Sequence, residues 1–179
     1  MTLNTNREIR FGLNELIVSK TDLAGRITYA NRTFMRVSNY TETELLGKPH
    51  NILRHKDMPA GVFYGLWQTL RAGKEFFGFV KNRTSDGNYY WVFANVTPDV
   101  INGNVVGFYS VRRFAPPQAV SALTNFYTQM HEQEQGFRGS EAARHSWHWL
   151  LDEVNTRARC DYDEFVLNLY LKFTEGAVA

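Results

Sequence analysis

The pattern of apolar residues changes near Arg113, and this change divides the chain into two parts. Before Arg113, short apolar runs alternate with turn residues. After Pro116 and Pro117, only two glycines occur before Gly176, and the spacing of apolar residues is helical. Glycine and proline are the strongest local markers of turns. The 179 residues therefore predict one domain with a helical appendage rather than two full domains.

The first part contains five strand-like runs, at 15–20, 26–30, 76–83, 89–97 and 105–113. Short helical segments and one longer helix, predicted at 59–72, lie between the second and third runs. In that helix Phe63, Leu66, Trp67 and Leu70 have the i, i+3, i+4, i+7 spacing of an amphipathic helix. This order predicts an α+β fold in which helices cover one face of a five-stranded antiparallel sheet.

Several helix ends are marked by capping residues. Asn31 precedes a short helical run, and Thr41 with Glu44 matches a capping box. In the tail we predict helices at about 118–134, from a cap at Ser140 to 157, and from a cap at Asp161 to 173. We divide the chain into an N-terminal cap segment (1–12), a central domain (13–115) and a helical C-terminal extension (116–179).

The last predicted helix has a wide apolar stripe: Tyr162, Phe165, Val166, Leu169, Tyr170 and Phe173. An exposed apolar stripe of this size would favour aggregation unless another surface covers it. It can be buried in its own domain, against a second copy of the chain or against a partner helix. We expect an association surface and a homodimer.

Charge and cysteine content exclude several classes of protein. The formal net charge of +2 is too small for charge-driven binding to nucleic acid or anionic membranes. Cys160 is the only cysteine, which excludes an internal disulfide and a cysteine-rich zinc site. No apolar run reaches the roughly 20 residues of a membrane helix, and the first residues do not resemble a signal peptide. We expect a cytoplasmic protein without direct membrane insertion.

The segment 50–59 combines two histidines with other charged residues just before the longer helix. Arg54 and His55 can donate hydrogen bonds to a phosphate or an anionic ring. Asp57 can hold Arg54 or accept from a ribose hydroxyl. The alternative is a surface connector whose charges are solvated.

Asparagines form a second group of candidates. An amide can both donate to and accept from the edge of a heterocycle, which suits Asn82 in an aromatic strand and also Asn95. Asn31 fits a cap equally well. The aromatic residues near this strand fit either a core or a planar ligand: Trp67, Phe76, Phe77, Phe79, Tyr89 and Trp91. No catalytic triad pattern, phosphate-binding loop or H-E-x-x-H motif occurs, so we do not predict an enzyme.

These features together resemble a PAS domain, specifically the sensor domain of bacterial aerotaxis receptors. The similarity covers about residues 13–115. The matching stretches include VSNYT (37–41), RHKDMP (54–59), LWQTL (66–70) and GFVKNR (78–83), together with 21–23, 29–31, 44–47, 49–51, 90–92 and 94–95. The resemblance implies a flavoprotein that binds FAD non-covalently and reports the redox state of the cell, as an oxygen or energy sensor, to the chemotaxis machinery.

The resemblance also implies a binding site. Arg54, His55 and Asp57 match positions that the family needs for FAD. Asn82 matches an amide beside the isoalloxazine ring of related flavin-binding PAS domains, and Asn31 matches a position in the cleft. Trp67 and Phe76 are the aromatic residues that we expect at the ring.

The chain departs from the family in two respects. The family has a tryptophan where Phe76 stands, and phenylalanine can stack on the ring but lacks the indole N–H donor. In addition, the membrane segment and signalling coiled coil of full aerotaxis receptors have no counterpart here. We therefore expect a stand-alone PAS protein that signals in trans to a membrane-bound chemotaxis transducer or another signalling protein.

Three alternatives stay open at this stage. FMN can replace FAD, or the domain can be a haem-binding gas sensor with His50 or His55 as the axial ligand. The third alternative is a ligand-free dimerisation or adaptor module. A photosensor that bonds flavin to cysteine is excluded because Cys160 lies in the tail.

Overall fold

The computed structural model describes residues 6–174. The first five residues of the predicted N-terminal segment (1–12) and the last five of the predicted C-terminal extension (116–179) therefore lie outside the described residues. The strands are β1 (Ile17–Asp22), β2 (Ile27–Ala30), β3 (Phe76–Arg83), β4 (Tyr89–Ile101) and β5 (Asn104–Phe114). The helices are α1 (Arg32–Ser38), α2 (Glu42–Leu45), α3 (Ala60–Arg71), α4 (Pro117–Glu134), α5 (Gly139–Ala158) and α6 (Tyr162–Thr174), with a 3₁₀ turn at His50–Leu53. None of the helices in this range is long and apolar enough to cross a membrane.

The strands form one antiparallel sheet in the order β2-β1-β5-β4-β3. The predicted α+β fold, with short helices on one face of a five-stranded sheet and a helical extension, is confirmed. The extension begins within a few residues of the end of β5, at the predicted proline pair.

Local capping chemistry sets most of the helix boundaries. The Asn31 side chain accepts from the amide of Phe34, and Thr41 and Glu44 form the predicted capping box. Asp161 accepts from the Glu164 amide at the start of α6. The prediction for Ser140 was wrong. The chain turns at Gly139, whose φ of 58° suits glycine, so Ser140 lies inside α5, and Arg138 occupies the flanking position without a side-chain cap.

The two faces of the sheet have different coverings. We call the face that carries Val80, Ala94 and Arg112 the inner face, because the alternation along each strand and the strand register place these residues on the same side. The 3₁₀ turn and α3 lie over the inner face, and a cavity lies between them and the sheet. The opposite, outer face carries Trp91 and Phe93.

The C-terminal extension (α4–α6) packs onto the sheet at the β3 edge. On the inner side Tyr162 of α6 stacks on Phe76, and on the outer side Tyr170 stacks on Phe93 with ring centroids 4.2 Å apart. The Tyr127 hydroxyl of α4 donates to the Phe79 carbonyl at 2.7 Å. The apolar stripe of α6 thus packs against the rest of the chain, with two of its residues buried and the others partly buried, so it is not the free association surface that we expected. In particular, Tyr162 and Val166 belong to the same buried cluster as the sheet.

Candidate functional site

A cavity of about 220 Å³ lies between the inner face and α3. Its walls come from three places: β1 with the turn that follows it, the segment from the 3₁₀ turn through α3, and strands β3, β4 and β5. Its lining is Thr21, Ala24, Gly25, Pro49, His50, Asn51, Arg54, Phe63, Leu66, Trp67, Leu70, Val80, Asn82, Ala94, Val96, Phe108, Ser110 and Arg112. Mostly apolar walls with a few polar groups are typical of a small-molecule site.

Arg112 is the most unusual of these residues, since only 2% of it is exposed. Its guanidinium donates to the Ser19 hydroxyl and lies over the Phe34 ring, 4.5 Å from the centroid. The Nε and Nη1 atoms have no hydrogen-bond partner in the described part of the chain. Burial lowers the pKa of Arg112 to about 10, so the group stays charged at neutral pH. A buried charge with unused donors is costly, and an acceptor in the cavity would satisfy it.

Asn82 supplies a second set of polar atoms. It is 4% exposed, lines the cavity, and its Nδ2 has no hydrogen-bond partner among residues 6–174. Tyr90 is its register partner on β4, is fully buried, and has a hydroxyl that is likewise unpartnered in that range. Burial raises the pKa of Tyr90, and a side-chain interaction with Asn82 opposes the rise, so the two groups lie near each other although no hydrogen bond of ordinary geometry joins them. The inner face therefore presents unused donors from three neighbouring strands.

Arg54 forms part of the opposite wall. Its guanidinium donates to the Met58 carbonyl at 3.1 Å and lies over the Phe63 ring, 4.4 Å from the centroid. Burial lowers the pKa of this half-buried group, although the Glu134 carboxylate opposes the shift. Arg54 and Arg112 give the cavity a positive wall, which favours a ligand with acceptor or anionic groups.

His50 also lines the cavity and is held neutral. Its Nε2 lies 3.3 Å from the Ser19 hydroxyl, and its ring stacks on Phe34. Burial, and then the charge of Arg112, lower the pKa of His50 to about 3. At neutral pH its two ring nitrogens thus comprise one donor and one acceptor.

Three of the seven predicted binding residues, Arg54, Trp67 and Asn82, come together in the cavity lining. The other four are placed elsewhere. Asn31 accepts from the amides of Val18 and Phe34 and donates to the Leu16 carbonyl, so its side-chain amide ties the start of α1 to the start of β1 and the residue before it. Phe76 is on the inner face but packs on Trp147 and Tyr162 of the extension.

His55 and Asp57 lie beyond Arg54, outside the lining of this cavity. The His55 ring packs edge-on against Tyr89, and its Nδ1 is 3.5 Å from Asp57. Asp57 is paired with Lys81 at 2.7 Å. Asp57 instead lines a second cavity, of about 360 Å³, with Trp91 and His131 among its walls.

Sequence reasoning missed Arg112, whose burial results from the strand register. Side chains along β5 alternate between the two faces of the sheet. The alternation alone does not say which arginine faces inward, because one face receives Phe108, Ser110 and Arg112 and the other receives Tyr109, Val111 and Arg113. Pairing of Ala94 with Arg112, and of Ile17 with Arg112, places this residue on the inner face.

A family model described as the PAS fold matches residues 27–112. The chain is 45% identical over 111 residues to the aerotaxis receptor of Escherichia coli (strain K12). The aligned region covers 62% of this chain and 22% of the receptor. It is 33% identical over 81 residues to the nitrogen fixation regulatory protein of Klebsiella pneumoniae, which covers 45% of this chain and 16% of that protein. The chain thus matches less than a quarter of the length of each relative.

Solved structures show the same fold at low sequence identity. The light-state structure of the blue-light photoreceptor Aureochrome1 LOV superposes with a TM-score of 0.55 at 20% identity, covering 62% of this chain and 88% of that one. A light-oxygen-voltage domain studied with a flavin analogue superposes with a TM-score of 0.54 at 20% identity, covering 64% of this chain and 87% of that one. At this identity the likeness concerns the fold alone.

Proposed function

The chain contains a PAS domain related to the aerotaxis receptor, and from this premise we propose that it is a redox sensor that holds a flavin, FAD in the first instance, in the cavity between the inner face and α3. The role is that of a binding and signalling module rather than of an enzyme. The redox state of the ligand is the signal, and the residues around the cavity respond to it.

The observation that supports this proposal most strongly is the set of unused buried donors around an apolar cavity. Arg112 Nε and Nη1 and Asn82 Nδ2 have no hydrogen-bond partner in the described structure, yet both residues line the cavity. Native proteins rarely leave buried polar groups unsatisfied. A heterocycle with several acceptor atoms at its edge would satisfy them.

The side chains that line the cavity fit the chemistry of a flavin. Trp67 and Phe63 offer aromatic surface to a planar ring, whereas Asn82 and Arg112 offer donors to its polar edge. The half-buried Arg54 would supply positive charge and hydrogen-bond donors to phosphate or ribityl oxygens. When bound, a flavin supplies reversible reduction and oxidation. The protein groups hold it and tune its electron affinity.

The names of the relatives support the signalling role. One is an aerotaxis receptor and another a nitrogen fixation regulatory protein. By analogy, we assign the chain a cytoplasmic place in chemotaxis-type signal transduction, where it acts on a membrane-bound transducer or another signalling protein. His55 and Asp57 remain proposed contributors to FAD binding through the position of the Arg54 segment.

One experiment tests the flavin assignment directly. Purified protein is stripped of small molecules, and FAD, FMN and riboflavin are titrated separately while protein fluorescence and flavin absorbance are followed. We expect saturable 1:1 binding of FAD, tighter than that of riboflavin because the phosphates add contacts to positive side chains. Failure of all three flavins to bind would refute the assignment.

Haem is the second candidate, because His50 lines the cavity and stays neutral at physiological pH. Neutral imidazole is the form that ligates metals. A Soret band in the purified protein, lost in His50→Gln, would favour haem over flavin.

A further inference from the structure

Helix α3 is shared between the cavity and the C-terminal extension. One side of it, with Phe63, Leu66 and Trp67, lines the cavity. The other side has Gly61 and Gly65 one turn apart, and these glycines face α5. A Cβ atom at Gly65 would overlap the Trp147 ring, and one at Gly61 would overlap the Ser146 side chain. The two helices therefore approach at a distance that only glycine permits.

The start of α3 has no cap of its own. Pro59 occupies the cap position without a side-chain hydrogen bond, and the first turn contains no acidic residue. The amide of Gly61 instead donates to Glu134 Oε1 at 2.9 Å, and Glu134 is the last residue of α4. A carboxylate is a favourable partner for the exposed amides and the positive end of a helix.

Glu134 is itself fixed by the next helix of the extension. The Ser146 hydroxyl of α5 donates to the same Oε1 at 2.7 Å, and 16% of the Glu134 side chain is exposed. One carboxylate oxygen thus joins α3, α4 and α5. Its charge also reaches the cavity wall, where it opposes the fall in the pKa of Arg54.

A second contact from α4 holds the segment between Arg54 and α3. His131 Nε2 lies 2.9 Å from the Asp57 carbonyl. Three residues later, Glu134 holds the first turn of α3. The end of α4 therefore contacts this segment both before and after Met58. The Met58 carbonyl in turn accepts a hydrogen bond from Arg54.

We propose that Glu134 is a positioning residue for the cavity ligand: by capping α3 from the extension, it couples ligand binding to the docking of α4 and α5. The proposal rests on the proposed function, in that the ligand used to test it is FAD. Coupling of this kind is reciprocal, so FAD must stabilise the docked extension by the same factor by which docking tightens FAD binding.

The test compares full-length variants. Glu134→Ala removes the acceptor, and Glu134→Gln keeps an oxygen that can accept from both Gly61 and Ser146. Glu132→Ala is the matched control, because Glu132 is an exposed residue of the same helix. We expect Glu134→Ala to raise the Kd for FAD about tenfold, within the 5- to 150-fold range usual for coupled sites. Glu134→Gln should restore most of the affinity, and Glu132→Ala should match the unmodified protein.

Hydrogen exchange of the unmodified chain gives a second readout that needs no variant. Amides of α5 should exchange several-fold more slowly with FAD than without it, because docking and binding are linked. Equal α5 exchange with and without FAD, or an unchanged Kd in Glu134→Ala, overturns the coupling while the flavin assignment stands. A chain that takes up no FAD overturns both.

Discussion

Arg54 and Asn82 are joined by an isolated antiparallel β-bridge at the outer edge of β3. Both residues line the cavity, one from the helical wall and one from the sheet. The bridge fixes the distance between the two walls at this end. It also explains how two motifs that are far apart in sequence contribute to one site.

Replacing Arg112 should weaken ligand binding more than it destabilises the empty protein. In Arg112→Met the lost hydrogen bonds to a ligand are worth about 1.5–3 kcal/mol, as for other charged donors. Removing a buried charge that lacks a carboxylate partner relieves a desolvation cost in the empty chain. FAD titration and urea unfolding of the stripped protein measure the two effects. Unchanged FAD affinity would show that the guanidinium does not face the ligand.

Asn82→Ala should retain the flavin but shift its reduction potential. One amide beside a large cofactor tunes its electronics more than it contributes to total affinity. Asn95→Ala is the control, because the Asn95 amide donates to Glu75 and does not line the cavity. Redox titration of both variants checks the prediction, and equal potentials would contradict it.

Arg54→Ala and Asp57→Ala should both lower flavin occupancy, and the arginine variant should have the larger effect. Arg54 lines the cavity, whereas Asp57 acts through its contacts with His55 and Lys81. Absorbance after dialysis at low protein concentration gives the occupancy, with the exposed neighbour Lys56→Ala as control. Full occupancy in both variants would remove this segment from the binding site.

Stability should fall as the pH drops from about 6.5 toward 3, in part because of His50. Its pKa is lowered from 6.5 to about 3 in the folded state, so between these values the unfolded chain binds a proton that the folded chain does not. Each pH unit in this window costs up to about 1.4 kcal/mol of unfolding free energy. Urea unfolding at pH 7 and pH 5 measures the loss, which should be smaller in His50→Gln. An equal loss in that variant would show that other groups cause it.

Gly65→Ala should destabilise the chain by about 1–3 kcal/mol, the usual range for overpacking. The new methyl group would meet the Trp147 ring. Gly136→Ala is the control, because a Cβ at that position meets nothing within 4 Å. Chemical unfolding of both variants gives the difference. Equal stability would mean that α5 does not pack on α3 as described.

Sequence patterns predicted the elements well where the signals are local. The capping box at Thr41 and Glu44, and the bounds of β3, follow from residues within a few positions of one another. Contacts that depend on register or on distant helices could not be predicted in this way. Arg112 turns inward because of its pairing with Ala94, and Phe76 meets Tyr162 from α6. The stripe of α6 identified a buried surface but not its partner.

The central claim, a flavin in the cavity of this PAS domain, is tested most directly by the cofactor that the purified chain contains. The visible spectrum of the protein is recorded, the protein is denatured, and the released molecule is identified by chromatography and mass spectrometry. The account predicts flavin absorbance bands and release of FAD. A Soret band, or a colourless protein that takes up no added FAD, would contradict it.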